Sequence, residues 1–144
     1  MKHFFLLFML LCCFKTTCTD VYAIDKFRTD GCSLFPNGTF DSNALWLHCC
    51  TEHDRAYWQG GTYNQRLEAD QQLRQCVHDA GAPFIAQLMV EGVRLGGSPF
   101  FPTTYRWGYG WPWLRGYKPL TPDEQADVTK TYQESFNGNT HSKD

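Results

Sequence analysis

The chain has no apolar run long enough to cross a bilayer, which takes about 20 residues. Its longest, Phe4 to Phe14, holds 11 residues behind the basic start Met1-Lys2-His3. It also lacks a basic surplus. Beyond residue 23 there are 11 Lys and Arg against 14 Asp and Glu, so no footprint for nucleic acid is present. No internal repeat and no low-complexity linker divides the sequence, and no run alternates apolar with polar residues strongly enough to argue for a strand. The one pattern near a serine nucleophile elbow, Gly96-Gly97-Ser98-Pro99-Phe100, is missing the second glycine. Serine-hydrolase chemistry therefore has no support.

What is present begins with the short apolar run, which suits the core of a secretory signal. Val21-Tyr22-Ala23 offers small residues at the positions signal peptidase reads, so cleavage is expected after Ala23. Residues 1–23 are then a signal peptide and 24–144 a single domain of modest core, secreted or periplasmic. Removing the signal removes Cys12, Cys13 and Cys18. Four cysteines remain, Cys32, Cys49, Cys50 and Cys76, an even number that in an oxidising compartment reads as two disulfides.

Helical spacing dominates the domain. Residues 24–41 carry Asp, Gly, Pro and Asn at close intervals and read as a loop. From Ser42 the sequence SNALWLHCCTEHDRAYWQ places Leu45, Cys49, Cys50, His53 and Tyr57 on one stripe. Asp41 or Ser42 is expected to cap this helix, and Gly60-Gly61 to end it. A second helix starts near Thr62 or Asn64 and stops at Gly81, with Arg66, Asp70, Leu73, Cys76 and Val77 on its stripe. Pro83 opens a third, closed by Gly96-Gly97. Thr121-Pro122-Asp123-Glu124 is a capping box that starts a fourth. The predicted class is all-α.

Two helices joined at Gly60-Gly61 should run antiparallel, and facing residues in such a hairpin have nearly constant position totals. Cys49 with Cys76, His53 with Asp70 and Tyr57 with Arg66 share one register. A Cys49–Cys76 disulfide would tie the helices about one turn from where His53 faces Asp70. Cys50 points elsewhere and leaves Cys32 as its partner, which would clamp the Asp30-Gly31 loop against the first helix. Asp54 falls on that side. Asp30 and Asp54 with a loop carbonyl make a set of hard oxygen ligands, suited to calcium rather than zinc or copper.

At these residues the sequence resembles the secreted phospholipase A2 superfamily, whose active-site helix carries Cys-Cys-x-x-His-Asp with a tyrosine three residues after the aspartate. Cys49, Cys50, His53, Asp54 and Tyr57 match that pattern, and Asp70, six residues before Cys76, matches the second aspartate. The resemblance covers roughly residues 30 to 76. It implies that His53 is the general base, oriented by Asp70 with help from Tyr57. It also implies that Asp54 binds Ca2+ and that Cys49–Cys76 and Cys32–Cys50 are disulfides. There are departures. Ala56 stands where the family has a cysteine, and Ser33-Leu34-Phe35-Pro36 replaces the glycine-rich calcium loop of the animal enzymes. The chain is closer to the short prokaryotic members, in which the residues at Asp30 and Gly31 supply a side chain and a carbonyl to calcium. The expected activity is hydrolysis of the sn-2 ester of a glycerophospholipid by a monomeric enzyme working on a phospholipid membrane or micelle surface.

Three competing readings stand beside this one. Cys49, Cys50, His53 and Cys76 could form a closed zinc site, but zinc needs reduced thiols. The same scaffold could serve as a non-catalytic lipid or cell-wall binding protein. Finally, FFPTTYRWGYGWPWLRGY, residues 100–117, holds eight aromatic residues among its 18. It reads as an apolar rim for a lipid surface, as a satellite core under a long loop, or as an aromatic sugar-binding platform for a cell-wall partner.

Overall fold

The computed structural model describes residues 23–137. All but the last residue of the expected signal segment lies outside them, with Cys12, Cys13 and Cys18. Among the described residues there are four helices and no strand: α1 (Leu47–Gln59), α2 (Tyr63–Asp79), α3 (Pro83–Gly96) and α4 (Pro122–Asn137). No helix among them is long and apolar enough to cross a membrane.

Local chemistry sets most of the boundaries. Thr62 and Gln65 form a reciprocal capping box at the start of α2, and Pro83 opens α3. At α4 the Thr121 amide donates to the Glu124 carboxylate at 2.8 Å while the Glu124 amide donates to the Thr121 hydroxyl at 3.2 Å. Gly60 ends α1 with φ of +67°, a left-handed conformation that glycine adopts without a Cβ penalty.

The start of α1 departs from the sequence expectation. The helix begins at Leu47, and neither Asp41 nor Ser42 caps it; Trp46 occupies the N-cap position without a side-chain cap. Residues 37–46 fold back on themselves instead. Thr39 and Leu45 donate their amides to the Ser42 carbonyl, the Trp46 amide donates to the Asn37 carbonyl, and the Trp46 indole donates to the Pro36 carbonyl at 2.7 Å. These turn bonds satisfy the backbone without a helix, and Leu45 is left exposed outside the stripe.

Two disulfides join Cys49 to Cys76 and Cys32 to Cys50. The first ties α1 to α2, and the second ties the 30–36 loop to α1. They enclose 27 and 18 residues, for which loop-closure entropy stabilises the fold by about 3 kcal/mol each. In this oxidised state Cys49, Cys50, His53 and Cys76 offer no thiolate to a closed zinc site. The main core sits between α1, α2 and α3 around Trp46, Leu73, Val77 and Met89, with both disulfides in it. A second packs Ile24, Phe27, Trp58 and Trp111 against Val128 of α4.

The aromatic segment divides between the rim and the satellite-core readings. Trp107 and Trp111 are buried, whereas Phe100, Phe101, Tyr105, Trp113 and Leu114 are exposed. The buried half ends α1. Helix C-termini leave carbonyls without intrahelical donors, and here the Gly108 amide reaches the Tyr57 carbonyl and the Gly110 amide that of Trp58. The Trp111 indole reaches Gln59 at 2.7 Å and the Trp107 indole reaches Gly61 at 2.9 Å. This needs close backbone contact: a Cβ on Gly60 would lie 2.9 Å from Gly108 Cα. Arg106 holds the segment's shape by donating to the Gly108 and Trp111 carbonyls, each at 2.6 Å.

Arg115 grips Glu124 with both guanidinium nitrogens, at 2.7 and 2.9 Å. This bond comes first among the causes that hold the Glu124 carboxyl down at about 2, against an ordinary 4.5. A depressed carboxylate stabilises the fold above its unfolded value and loses that contribution as pH falls through the folded one. Thermal melts from pH 6 to 2 should therefore show a decline between pH 4.5 and 2 that Glu124→Gln largely removes. A Glu124→Gln profile parallel to wild type would contradict this.

Candidate functional site

Helical spacing brings His53 and Tyr57 of α1, one turn apart, to face Asp70 and Arg66 of α2, also one turn apart. His53 Nε2 lies 3.1 Å from Asp70 Oδ1, and the Tyr57 hydroxyl donates to the same oxygen at 2.7 Å. The Tyr57 and His53 rings are 4.2 Å apart at 36°. Asp70 is fully buried and His53 is 8% exposed. A buried carboxylate is tolerated only when donors meet its charge. Among the described residues Nδ1 has no hydrogen-bond partner, so the tautomer that donates Nε2–H to Asp70 would leave the Nδ1 lone pair free.

Arg66 extends this chain. Its Nε donates to the Tyr57 hydroxyl at 3.0 Å. Its terminal nitrogens donate to the Tyr117 hydroxyl at 2.6 Å and to the Val93 and Arg94 carbonyls at 3.0 and 2.9 Å. One guanidinium thus joins α1, α2, the C-terminal end of α3 and the aromatic segment. Burial raises the Tyr57 pKa well above its ordinary value, and the Asp70 charge raises it further, so the group stays a phenol that donates to Asp70. Asp70 Oδ2 is buried without a hydrogen bond, and the Arg94 guanidinium lies 3.8 Å from it.

Asp54 sits in a different environment. Its Oδ2 accepts from the Thr29 hydroxyl at 2.6 Å, and that hydroxyl oxygen accepts the Gly31 amide at 3.0 Å. Among the described residues no cation lies within ion-pair distance of it. Burial pushes the Asp54 carboxyl up to about 7; the Thr29 bond works against this, and the charge of Asp30 adds to it. Asp30 is exposed and accepts from the Ser33 hydroxyl at 2.9 Å. Gly31, between them, has φ of +75°, and a Cβ there would lie 2.6 Å from the Asn37 side-chain oxygen.

His53, Asp54, Tyr57 and Gly31 line one cavity of about 150 Å³. Its remaining walls are mainly apolar, with Leu73 and Met89 at the core side and Leu34 and Tyr105 among the exposed residues. On the α3 side Gly92 and Gly96 line it beside Met89 and Val93, and a Cβ on either glycine would touch the Phe35 or Tyr105 ring at 3.4 Å. Gly97 lets that helix end press on the site: a Cβ there would be 2.5 Å from the Tyr57 ring.

The arrangement can do two things chemically. A buried, carboxylate-held imidazole with a free nitrogen can take a proton from water. Asp54 on α1 and Asp30 in the loop, close enough for their charges to interact, are hard oxygen donors of the kind that a divalent ion such as Ca2+ takes.

Sequence reasoning placed Arg66 opposite Tyr57 but assigned it nothing. Its position on a stripe otherwise bound for burial was the available signal, because a buried arginine must find several acceptors. Thr29, Tyr109 and Tyr117 were not singled out. The Tyr109 hydroxyl donates to the Arg28 carbonyl at 2.6 Å, and its pKa is raised by burial and then by the charges of Asp54 and Asp30. Comparison with protein-family models, with curated proteins and with solved structures finds no match to the chain.

Replacing Arg66 should be costly, since several buried acceptors lose their donor together. Arg66→Met is expected to destabilise the protein by about 3 kcal/mol or more, read from the urea midpoint. Arg66→Lys should recover little of it, because an ammonium lacks the planar fork. A midpoint within experimental error of wild type for either variant would sink the assignment.

Proposed function

We propose that the chain is a secreted or periplasmic, calcium-dependent phospholipase A2 that hydrolyses the sn-2 ester of glycerophospholipids. The observation that carries the reading is the His53–Asp70 contact of 3.1 Å at the edge of an apolar-walled cavity that His53 and Asp54 both line. In this reading His53 Nδ1 is the base. It takes a proton from a water as the water oxygen attacks the sn-2 carbonyl carbon, and the proton passes to the leaving glycerol oxygen as the ester bond breaks. No acyl-enzyme forms. Asp70, through Nε2, holds the tautomer that leaves Nδ1 unprotonated and stabilises the imidazolium that develops. Tyr57 fixes Asp70 and flanks the ring. Asp54, Asp30 and the Gly31 carbonyl would hold the calcium, which supplies electrophilic stabilisation of the ester oxygen.

The surface supports a lipid partner. Leu34, at 92% exposed, and Tyr105, at 41%, line the cavity, and Phe100, Phe101, Trp113 and Leu114 are exposed in the same aromatic segment as Tyr105. Such residues favour the headgroup region of a membrane.

Fatty-acid release from a phospholipid labelled at the sn-2 chain tests the reading. His53→Gln should lower the rate by about 10²- to 10⁴-fold, and a calcium chelator should abolish it reversibly. Unchanged release in His53→Gln would remove His53 from the chemistry. Vesicle binding without any release from wild type would favour a non-catalytic lipid-binding protein instead. Separately, Phe101→Asp with Trp113→Asp should weaken sedimentation with phosphatidylcholine vesicles by tenfold or more, leaving hydrolysis of a monomeric short-chain substrate near wild type. Equal loss on both substrates would place these residues elsewhere in the mechanism.

A further inference from the structure

On the far side of the Cys49–Cys76 bond from the cavity chemistry stands a histidine that the proposed function does not use. His48 is exposed, and its Nε2 lies 3.4 Å from Cys49 Sγ and 3.4 Å from Cys76 Sγ. The three ligand atoms fall within 4.8 Å of one another. A tetrahedral zinc ion with thiolate and imidazole ligands at about 2.3 and 2.0–2.1 Å separates sulfur from nitrogen by roughly 3.5 Å. The imidazole therefore already stands at ligand spacing from both sulfurs. Opening the bond would need only the two sulfurs to part, from bonded distance to roughly the 3.8 Å such an ion requires.

We propose that His48, Cys49 and Cys76 form a zinc site when this disulfide is reduced, so that the α1–α2 hairpin can be held by either a covalent or a metal staple. The chemistry balances with a dithiol reductant: it gives two electrons and two protons to the disulfide, closes to its own disulfide, and leaves two thiols. Zinc then displaces both thiol protons and binds the sulfurs and Nε2, with water completing the tetrahedron. Soft thiolates select this class of ion over calcium. Because the sulfurs belong to facing helices, the metal would keep the register that aligns His53 with Asp70 in a chain that has not yet been oxidised. The set differs from Cys49, Cys50, His53 and Cys76: Cys50 is paired with Cys32 and His53 with Asp70, and His48 takes their place.

The test uses the full chain carrying Cys12→Ser, Cys13→Ser and Cys18→Ser, reduced with a phosphine, which takes oxygen from water to become its oxide and leaves no competing thiol. Cobalt(II) is titrated as a spectroscopic stand-in and then displaced by zinc. The expected result is one ion per chain with thiolate-to-metal charge-transfer absorption, retained in Cys32→Ser/Cys50→Ser. His48→Ala should weaken binding at least tenfold, and zinc should raise the helical circular dichroism and melting temperature of the reduced protein. The proposal is overturned if the oxidised protein gives the same absorption, if His48→Ala binds as tightly as its parent, or if Cys32→Ser/Cys50→Ser loses the ion. It is equally overturned if zinc binds without restoring helix to a reduced chain that has unfolded.

Discussion

A carboxylate cut off from solvent must be met by donors, and Asp70 stands at that limit, with no exposed surface. Each neighbouring feature answers its charge. The Tyr57 hydroxyl and His53 Nε2 share one oxygen, Arg66 backs the phenol, and Arg94 approaches the second oxygen. None of this is possible unless α1 and α2 run in one register, and the Cys49–Cys76 bond fixes that register less than two turns from Asp70. The cavity, its α3 wall and the aromatic segment are arranged around this charge.

Asp54 makes the contrast. Both aspartates sit on the same hairpin, yet Asp70 receives two donors on one oxygen and the other has a single hydroxyl and a second carboxylate nearby. Asp70 is bonded to the His53 ring and the Tyr57 hydroxyl, whereas among the described residues Asp54 has no cation within ion-pair distance.

Much of this could be read in advance, because helical periodicity and the constancy of facing positions in a hairpin are strong constraints. Four helices, the capping box at Thr121, both cysteine pairs and the facing of His53 with Asp70 follow from spacing alone or from the motif around it. The start of α1 did not. Ser42 and Asp41 have good capping chemistry, but turn bonds through Ser42 and the Trp46 indole draw residues 37–46 into a folded loop, and no periodic signal encodes such bonds. The aromatic segment was equally opaque. Its buried tryptophans act through indole bonds to carbonyls more than 40 positions away, which composition cannot reveal. Thr29 bonds to Asp54 across 25 positions, a contact that no local pattern encodes.

The docking of residues 107–111 on the end of α1 has a further effect on how the molecule breathes. Amides in irregular loops usually exchange with solvent quickly, since they open by local fluctuation. Those of Gly108 and Gly110 are instead bonded to carbonyls of the site helix itself. To free them, the segment must lift off the end of α1 and give up the Trp107 and Trp111 indole bonds to Gly61 and Gln59 as well. This stretch without regular structure therefore opens as one docked unit rather than amide by amide, and its deuterium uptake is slowed accordingly.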